Sequence, residues 1–120
     1  MSSTVATLLV AFVAVIHVVI AVVEMLFWTR EPVHQRLNFT AVEARKVAPI
    51  VANAGLYNSF LAAGLIWALV SYTPGSNVTI FFLLCVIVAG LFGAATLKPT
   101  TLVLQTIPGV AALVAALMVR

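Results

Sequence analysis

The stretch TIFFLLCVIVAGLFGAA, residues 79–95, decides the fold. It carries no charge and no apolar–polar alternation, so it reads as a continuous apolar helix and excludes a barrel strand. Within a span of about 78–97 it has three counterparts, at about 5–28, 48–72 and 101–118. Each approaches or exceeds the roughly 17 to 25 residues that carry a helix across a bilayer. A backbone in lipid must satisfy its own polar groups, so the four runs predict an all-α, integral membrane four-helix up-and-down bundle. Of the 120 residues, 64% are hydrophobic and only 8% are charged, far from a soluble average. Residues 1–120 read as a single transmembrane domain.

The connections set the topology. YTPGSN at 72–77 and LKPT at 97–100 are compact turns that place successive helices side by side and antiparallel. The one long connection, residues 29–46, carries Arg30, Arg36, Arg45 and Lys46, and the third connection carries Lys98. The second carries no basic residue, and Arg120 closes the chain. The positive-inside rule then puts connections one and three in the cytoplasm and both termini outside, in a multi-pass protein of the inner (plasma) membrane. The formal net charge of +3 is explained by this asymmetry, and it is too sparse to form a nucleic-acid face. The first apolar run lacks the basic start of a signal peptide and is read as a retained helix. Phe27 and Trp28, and Trp67 and Tyr72, stand where amphipathic aromatics mark the water boundary. Within the long connection, TAVE at 40–43 reads as a capping box that starts a lead-in helix near Ala41, with a kink expected at Pro49.

Polar residues inside the spans carry whatever chemistry there is. His17 and Glu24 are seven apart, about 20° from alignment on one helix face. On the second span, Asn53 and Tyr57 lie one turn apart, with Asn58 about 100° further round. Counting about 1.5 Å of rise per residue from the cytoplasmic boundary puts Glu24 and Asn53 in one layer and His17, Tyr57 and Asn58 in a deeper one. The expected pairs are Glu24 with Asn53, and His17 with Tyr57 or Asn58. Ionisable groups in a span mark a transport path, a proton relay or a ligand site. The alternative is that they fasten helices together by hydrogen bonds. Gln105, just before Pro108 and Gly109, is a secondary candidate whose plainer reading is a helix kink. Arg45 and Lys46 are candidate headgroup contacts, although topology alone accounts for them. Gly90, Gly93 and Ala94 predict close helix packing. The lone Cys85 excludes an intramolecular disulfide and a cysteine metal cluster. No phosphate loop, nucleophile triad or zinc signature is present, so no metal and no cofactor is expected.

The order His17, Glu24-Met25, Trp28, then Asn53-x-Gly55-Leu56-Tyr57-Asn58-x-Phe60-Leu61-Ala62-Ala63-Gly64-Leu65, then Gly93-Ala94-Ala95-Thr96 and Gln105-x-x-Pro108, resembles a bacterial family of four-helix inner-membrane proteins, domain of unknown function 1304. The resemblance covers nearly the whole chain. It departs from the family pattern at Ala54, where glutamine is usual, and at Ser59, where glycine is usual. It implies the fold and the membrane location, and no established activity.

Three functions remain. The favoured one is a proton- or cation-coupled small-molecule transporter working as an oligomer, with Glu24 as the exchanging carboxylate and His17, Asn53, Tyr57 and Asn58 lining the path. Small multidrug exporters share the architecture, though not the sequence pattern. The alternatives are a membrane-embedded lipophile-binding protein or enzyme, and a structural or accessory membrane subunit. The run EARKVAPIVANAGLYNSF at 43–60 is similar to membrane-associated eicosanoid and glutathione enzymes, but Leu56 and Tyr57 stand where their acidic residue falls, which weighs against enzymatic activity. Expected partners are membrane lipid, further copies of the chain and an unnamed small molecule, without nucleic acid.

Overall fold

The computed structural model describes residues 2–120. The fold is all-α, 86% helical, with no strand among the described residues. Helix α1 spans Ser3–Val22 and continues as a π turn over Val23–Phe27. A short α2, Glu31–His34, and a 3-10 turn, Gln35–Leu37, lead to α3, Ala41–Ser71. Helix α4 covers Asn77–Thr96, a second π turn covers Leu102–Thr106, and α5 runs over Ile107–Met118.

Hydroxyl caps start the three long helices: Ser2, Thr40 and Ser76 each accept a hydrogen bond from the backbone N–H three residues on, satisfying a donor the helix leaves free. The Thr40 cap is the expected half of the TAVE signal, and α3 starts at Ala41, as that signal predicts. Three helices, Ser3–Phe27, Ala41–Ser71 and Asn77–Thr96, are long and apolar enough to cross a membrane. The fourth apolar segment, Leu102–Met118, is shorter. At 31 residues α3 is about 46 Å long, well beyond the roughly 30 Å of a hydrocarbon core, so its first turns extend beyond the apolar layer as a lead-in. It passes through Pro49 without a break. The irregularity expected near Pro108 takes the form of the π turn just before it.

The core is narrow. Val10, Val13, Leu65, Leu83, Val86 and Ala112 are fully or nearly fully buried where α1, α3, α4 and α5 meet. Large apolar side chains such as Leu8, Phe12, Ile50, Val70 and Phe92 point outward, more apolar surface than a soluble monomer exposes and consistent with a lipid surround. Lys98 Nζ donates to the Arg36 carbonyl at 2.5 Å, so connections 29–40 and 97–100 share one end of the molecule. A Cβ placed on Gly75 would stand 2.8 Å from the Arg120 Cα, so the second connection and the last residue share the other.

The long connection is more ordered than its polar composition suggests. Trp28 is 5% exposed, and its Nε1 donates to the Ala44 carbonyl at 2.9 Å while its ring meets Phe39 edge to face at 5.4 Å. Trp28 stands directly after the Ser3–Phe27 span, and it is also the clasp joining the end of α1 to the start of α3. His34 is also buried, its Nδ1 donating to the Phe39 carbonyl at 2.8 Å around Asn38, whose φ of 62° makes the left-handed turn.

Candidate functional site

Glu24 lies in the first π turn, where the wider winding interrupts the α pattern; such turns recur at functional sites. Its Oε1 accepts a hydrogen bond from Asn58 Nδ2 at 2.6 Å, across the seam between α1 and α3. Its other oxygen, Oε2, has no partner within the chain and is not enclosed. Close approach of the helices depends on Gly55: a Cβ there would come within 2.7 Å of Met25 Cγ and 3.0 Å of Glu24 Cβ. Gly55 is the site residue that reading the polar groups alone passes over; its signal is a glycine in a helix interior, where it disfavours the helix unless close packing needs it.

Asn53 does not reach Glu24. It is exposed, and Tyr57 is 61% exposed with its ring edge to face against Phe60. The inner face of α3 is set by Gly55, Asn58, Ala62 and Leu65, at intervals of three, four and three residues, which is one helical stripe. Tyr57 and Asn53 fall about 100° and 140° round the helix from Asn58, outside that stripe.

His17 is fully buried and turns to a different neighbour. Its Nδ1 lies 2.9 Å from the Val13 carbonyl and, since a carbonyl only accepts, carries the proton and donates it. The Gln105 side chain lies beside the ring. Neither His17 Nε2 nor Gln105 Oε1 finds a partner of hydrogen-bonding geometry, although both atoms are enclosed. The expected pairing of His17 with Tyr57 or Asn58 is thus replaced by a contact with the second π turn. The α1 polar stripe divides, Glu24 facing α3 and His17 facing the segment that leads into α5.

That second π turn packs tightly on α4. Thr101 Oγ1 donates to the Gly90 carbonyl at 2.9 Å, and a Cβ on Gly90 would collide with Thr106 Oγ1. Gly90 thus makes the close contact expected of it.

Glu24 also faces a groove. Together with Trp28, Thr29, Arg45 and Pro49 it lines an open space of about 370 Å³ near the end that carries the first connection. A second open groove of about 360 Å³ lies further along the same seam, lined by Val18, Val22, Ala62, Ala63 and Ile66. Met25 and Leu26 border both. Arg45 and Lys46 are exposed, and only Arg45 borders the polar groove.

A family pattern matches residues 11–117, which include both polar contacts of α1 and both π turns. The chain belongs to DUF1304, described as a protein of unknown function. No curated protein matches it, and no solved structure matches it. Of the two departures from the DUF1304 pattern, Ala54 is exposed on α3, outside the Glu24–Asn58 seam, while Ser59 borders the apolar groove and bonds back to the Leu56 carbonyl.

Proposed function

We propose that this DUF1304 member is a small multi-pass protein of the inner membrane that exchanges a proton or another cation at Glu24 while moving a small molecule. The observation that supports this most directly is a carboxylate held across the seam by Asn58 in a residue that also borders an open groove. A carboxylate at a helix seam beside a groove is able to take and release a cation or a proton, and ionisable groups in spans mark such paths.

In this reading Leu102–Met118 is a fourth crossing, close to the lower limit of about 17 residues, and completes an up-and-down four-helix bundle. The basic residues of the first and third connections place that end in the cytoplasm and both termini outside. Four short helices enclose too little space for a pathway, so the working unit is an oligomer with the Glu24 groove at its edge or centre. His17 and Gln105 form a second polar contact deeper in the unit, while Tyr57 and Asn53 face the outside of α3, where an oligomer partner or lipid covers them.

A second reading, a lipophile-binding protein, is favoured by one observation: the apolar groove adjoining Glu24. A structural or accessory subunit is the remaining outcome. The test is pH-difference infrared spectroscopy of the protein in liposomes, wild type against Glu24→Gln, with a pH-sensitive dye inside to follow proton movement. The expected result is a titrating carboxyl band and a proton flux, both absent in Glu24→Gln, with an unchanged melting profile. A silent carboxyl, together with a variant that melts early, makes Glu24 a fastener and removes the transport reading.

A further inference from the structure

His17 is fully buried, and its ring is fixed by the bond that Nδ1 donates to the Val13 carbonyl at 2.9 Å. The Gln105 side chain approaches the same ring, and with Nδ1 already engaged the nitrogen left for it is Nε2. Of the two polar ends of that amide, the oxygen is the one enclosed, as Nε2 is. The two ring nitrogens are thereby set against two oxygens, one of the backbone and one of a side chain. A neutral imidazole has one N–H and one lone pair, so it suits one acceptor and one donor. Two acceptors suit an imidazolium, in which both nitrogens donate.

The surroundings restrict what can complete the contact. Neither Nε2 nor Oε1 leaves surface that a water-sized sphere can touch. A bridging water needs that room, and a metal ion needs it too. No group of three His, Cys, Asp or Glu able to hold a metal is present among the described residues. A proton adds no volume. No acidic side chain neutralises the site: Glu24, seven residues further along the first helix, is turned to Asn58 across the α3 seam. On α3, Tyr57 is exposed, Glu43, Arg45 and Lys46 are exposed in the first two turns, and Tyr72 lies past the end. Helix α4 offers only Cys85, and Leu102–Met118 has no titratable side chain. A buried cation is costly unless it is hydrogen-bonded, so the two oxygens are what offset the charge, through charge-assisted bonds.

We propose that His17 and Gln105 form a second proton-binding site, in which an imidazolium donates from Nδ1 to the Val13 carbonyl and from Nε2 to Gln105 Oε1. One proton passes from aqueous hydronium to the Nε2 lone pair, leaving water, and the protein gains one positive charge. Gln105 belongs to the π turn Leu102–Thr106, so the bound proton ties α1 to the segment that leads into α5. Without it, the amide has to turn end over end to donate to Nε2 instead. The site is separate from Glu24 and does not depend on the exchange proposed there.

The experiment is solid-state nitrogen NMR of the protein in liposomes, labelled at its histidine rings and titrated from neutral pH to the most acid pH at which the backbone carbon spectrum keeps its neutral pattern. A cross-peak to the Val13 carbonyl carbon identifies His17 against His34. At neutral pH one His17 nitrogen is expected in the protonated range and the other in the unprotonated range, and acidification should move the second into the protonated range. Gln105→Leu and Gln105→Met, the latter keeping side-chain length with a weakly accepting thioether, should leave Nε2 unprotonated throughout. The Nδ1 signal should stay in place in both, showing the ring still held by Val13. An Nε2 that never takes the proton in the wild type overturns the proposal, as does one that titrates equally without Gln105. A cross-peak from water to Nε2 at neutral pH also overturns it, because the contact is then a hydration site. His17 should titrate unchanged in Glu24→Gln, whatever the dye assay shows for Glu24; loss of its titration there overturns the separation of the two sites.

Discussion

At the scale of single residues, the two buried polar contacts of α1 differ in how complete they are. The Asn58–Glu24 bond joins α1 to α3 at 2.6 Å, and interhelical hydrogen bonds in membranes contribute about 0.6 kcal/mol on average and about 1.7 at most. Asn58→Ala is therefore expected to cost about 0.6 to 1.7 kcal/mol, measured by denaturant titration in mixed micelles. The His17–Gln105 contact leaves two enclosed acceptors unpaired, and an unsatisfied buried group costs about 1 to 3 kcal/mol. Replacing both by leucine removes that cost along with the polar atoms. The His17→Leu/Gln105→Leu double variant should melt no lower than wild type in the same titration. A clear loss of stability would show that these atoms are engaged in the membrane-embedded protein.

At the scale of elements, both polar contacts sit in π turns, Val23–Phe27 and Leu102–Thr106. The Leu102–Thr106 turn is held against α4 where Gly90 leaves no room for a methyl group, because the obstructing atoms include the Thr106 backbone nitrogen at 2.8 Å as well as its hydroxyl. Gly90→Ala forces that backbone apart and is expected to destabilise by about 1 to 3 kcal/mol, the range for overpacking, read from the midpoint of the same denaturant titration. The π turns also explain what was readable in the chain. Continuous runs such as 79–95 show helices and their length directly, and Thr40 shows where α3 starts, because these signals are local. The partner of Glu24 was not readable, because counting depth from a membrane entry near Val47 puts Asn53 level with it, whereas α1 and α3 pack in a register that sets Gly55 beside Glu24 and Asn58 within its reach, and that register comes from the contact and not from a local signal. Trp28 is a similar case: its type suits a water boundary, and only the fold of residues 29–40 shows that a carbonyl lies within reach.

At the scale of the whole molecule, the basic residues and the strap between connections agree that 29–40 and 97–100 share an end, but which side of the membrane that end faces is a proposal. Single-cysteine variants decide it: with Cys85 replaced by Ala, a cysteine at Arg36 is expected to react with a membrane-impermeant maleimide only after the cytoplasmic side is opened, and a cysteine at Ser76 to react from outside in intact cells. The reverse pattern would invert the topology. The molecule is elongated, 48 × 24 × 18 Å, and slender in cross-section, and many large apolar side chains face outward. So slender a cross-section limits what one copy encloses, which is why the transport reading requires several copies.

The Lys98 strap also carries information about order in time. Trp28 reaches Ala44 across 16 residues, whereas Lys98 reaches Arg36 across 62. As the chain leaves the ribosome, both halves of the first clasp emerge before Lys98 does, so α1 and α3 can latch around Glu24 before the final hairpin arrives. Docking of that hairpin onto a preformed pair is the insertion order this permits. The Glu24 seam belongs to the early half of the molecule, and the His17–Gln105 contact to the late one.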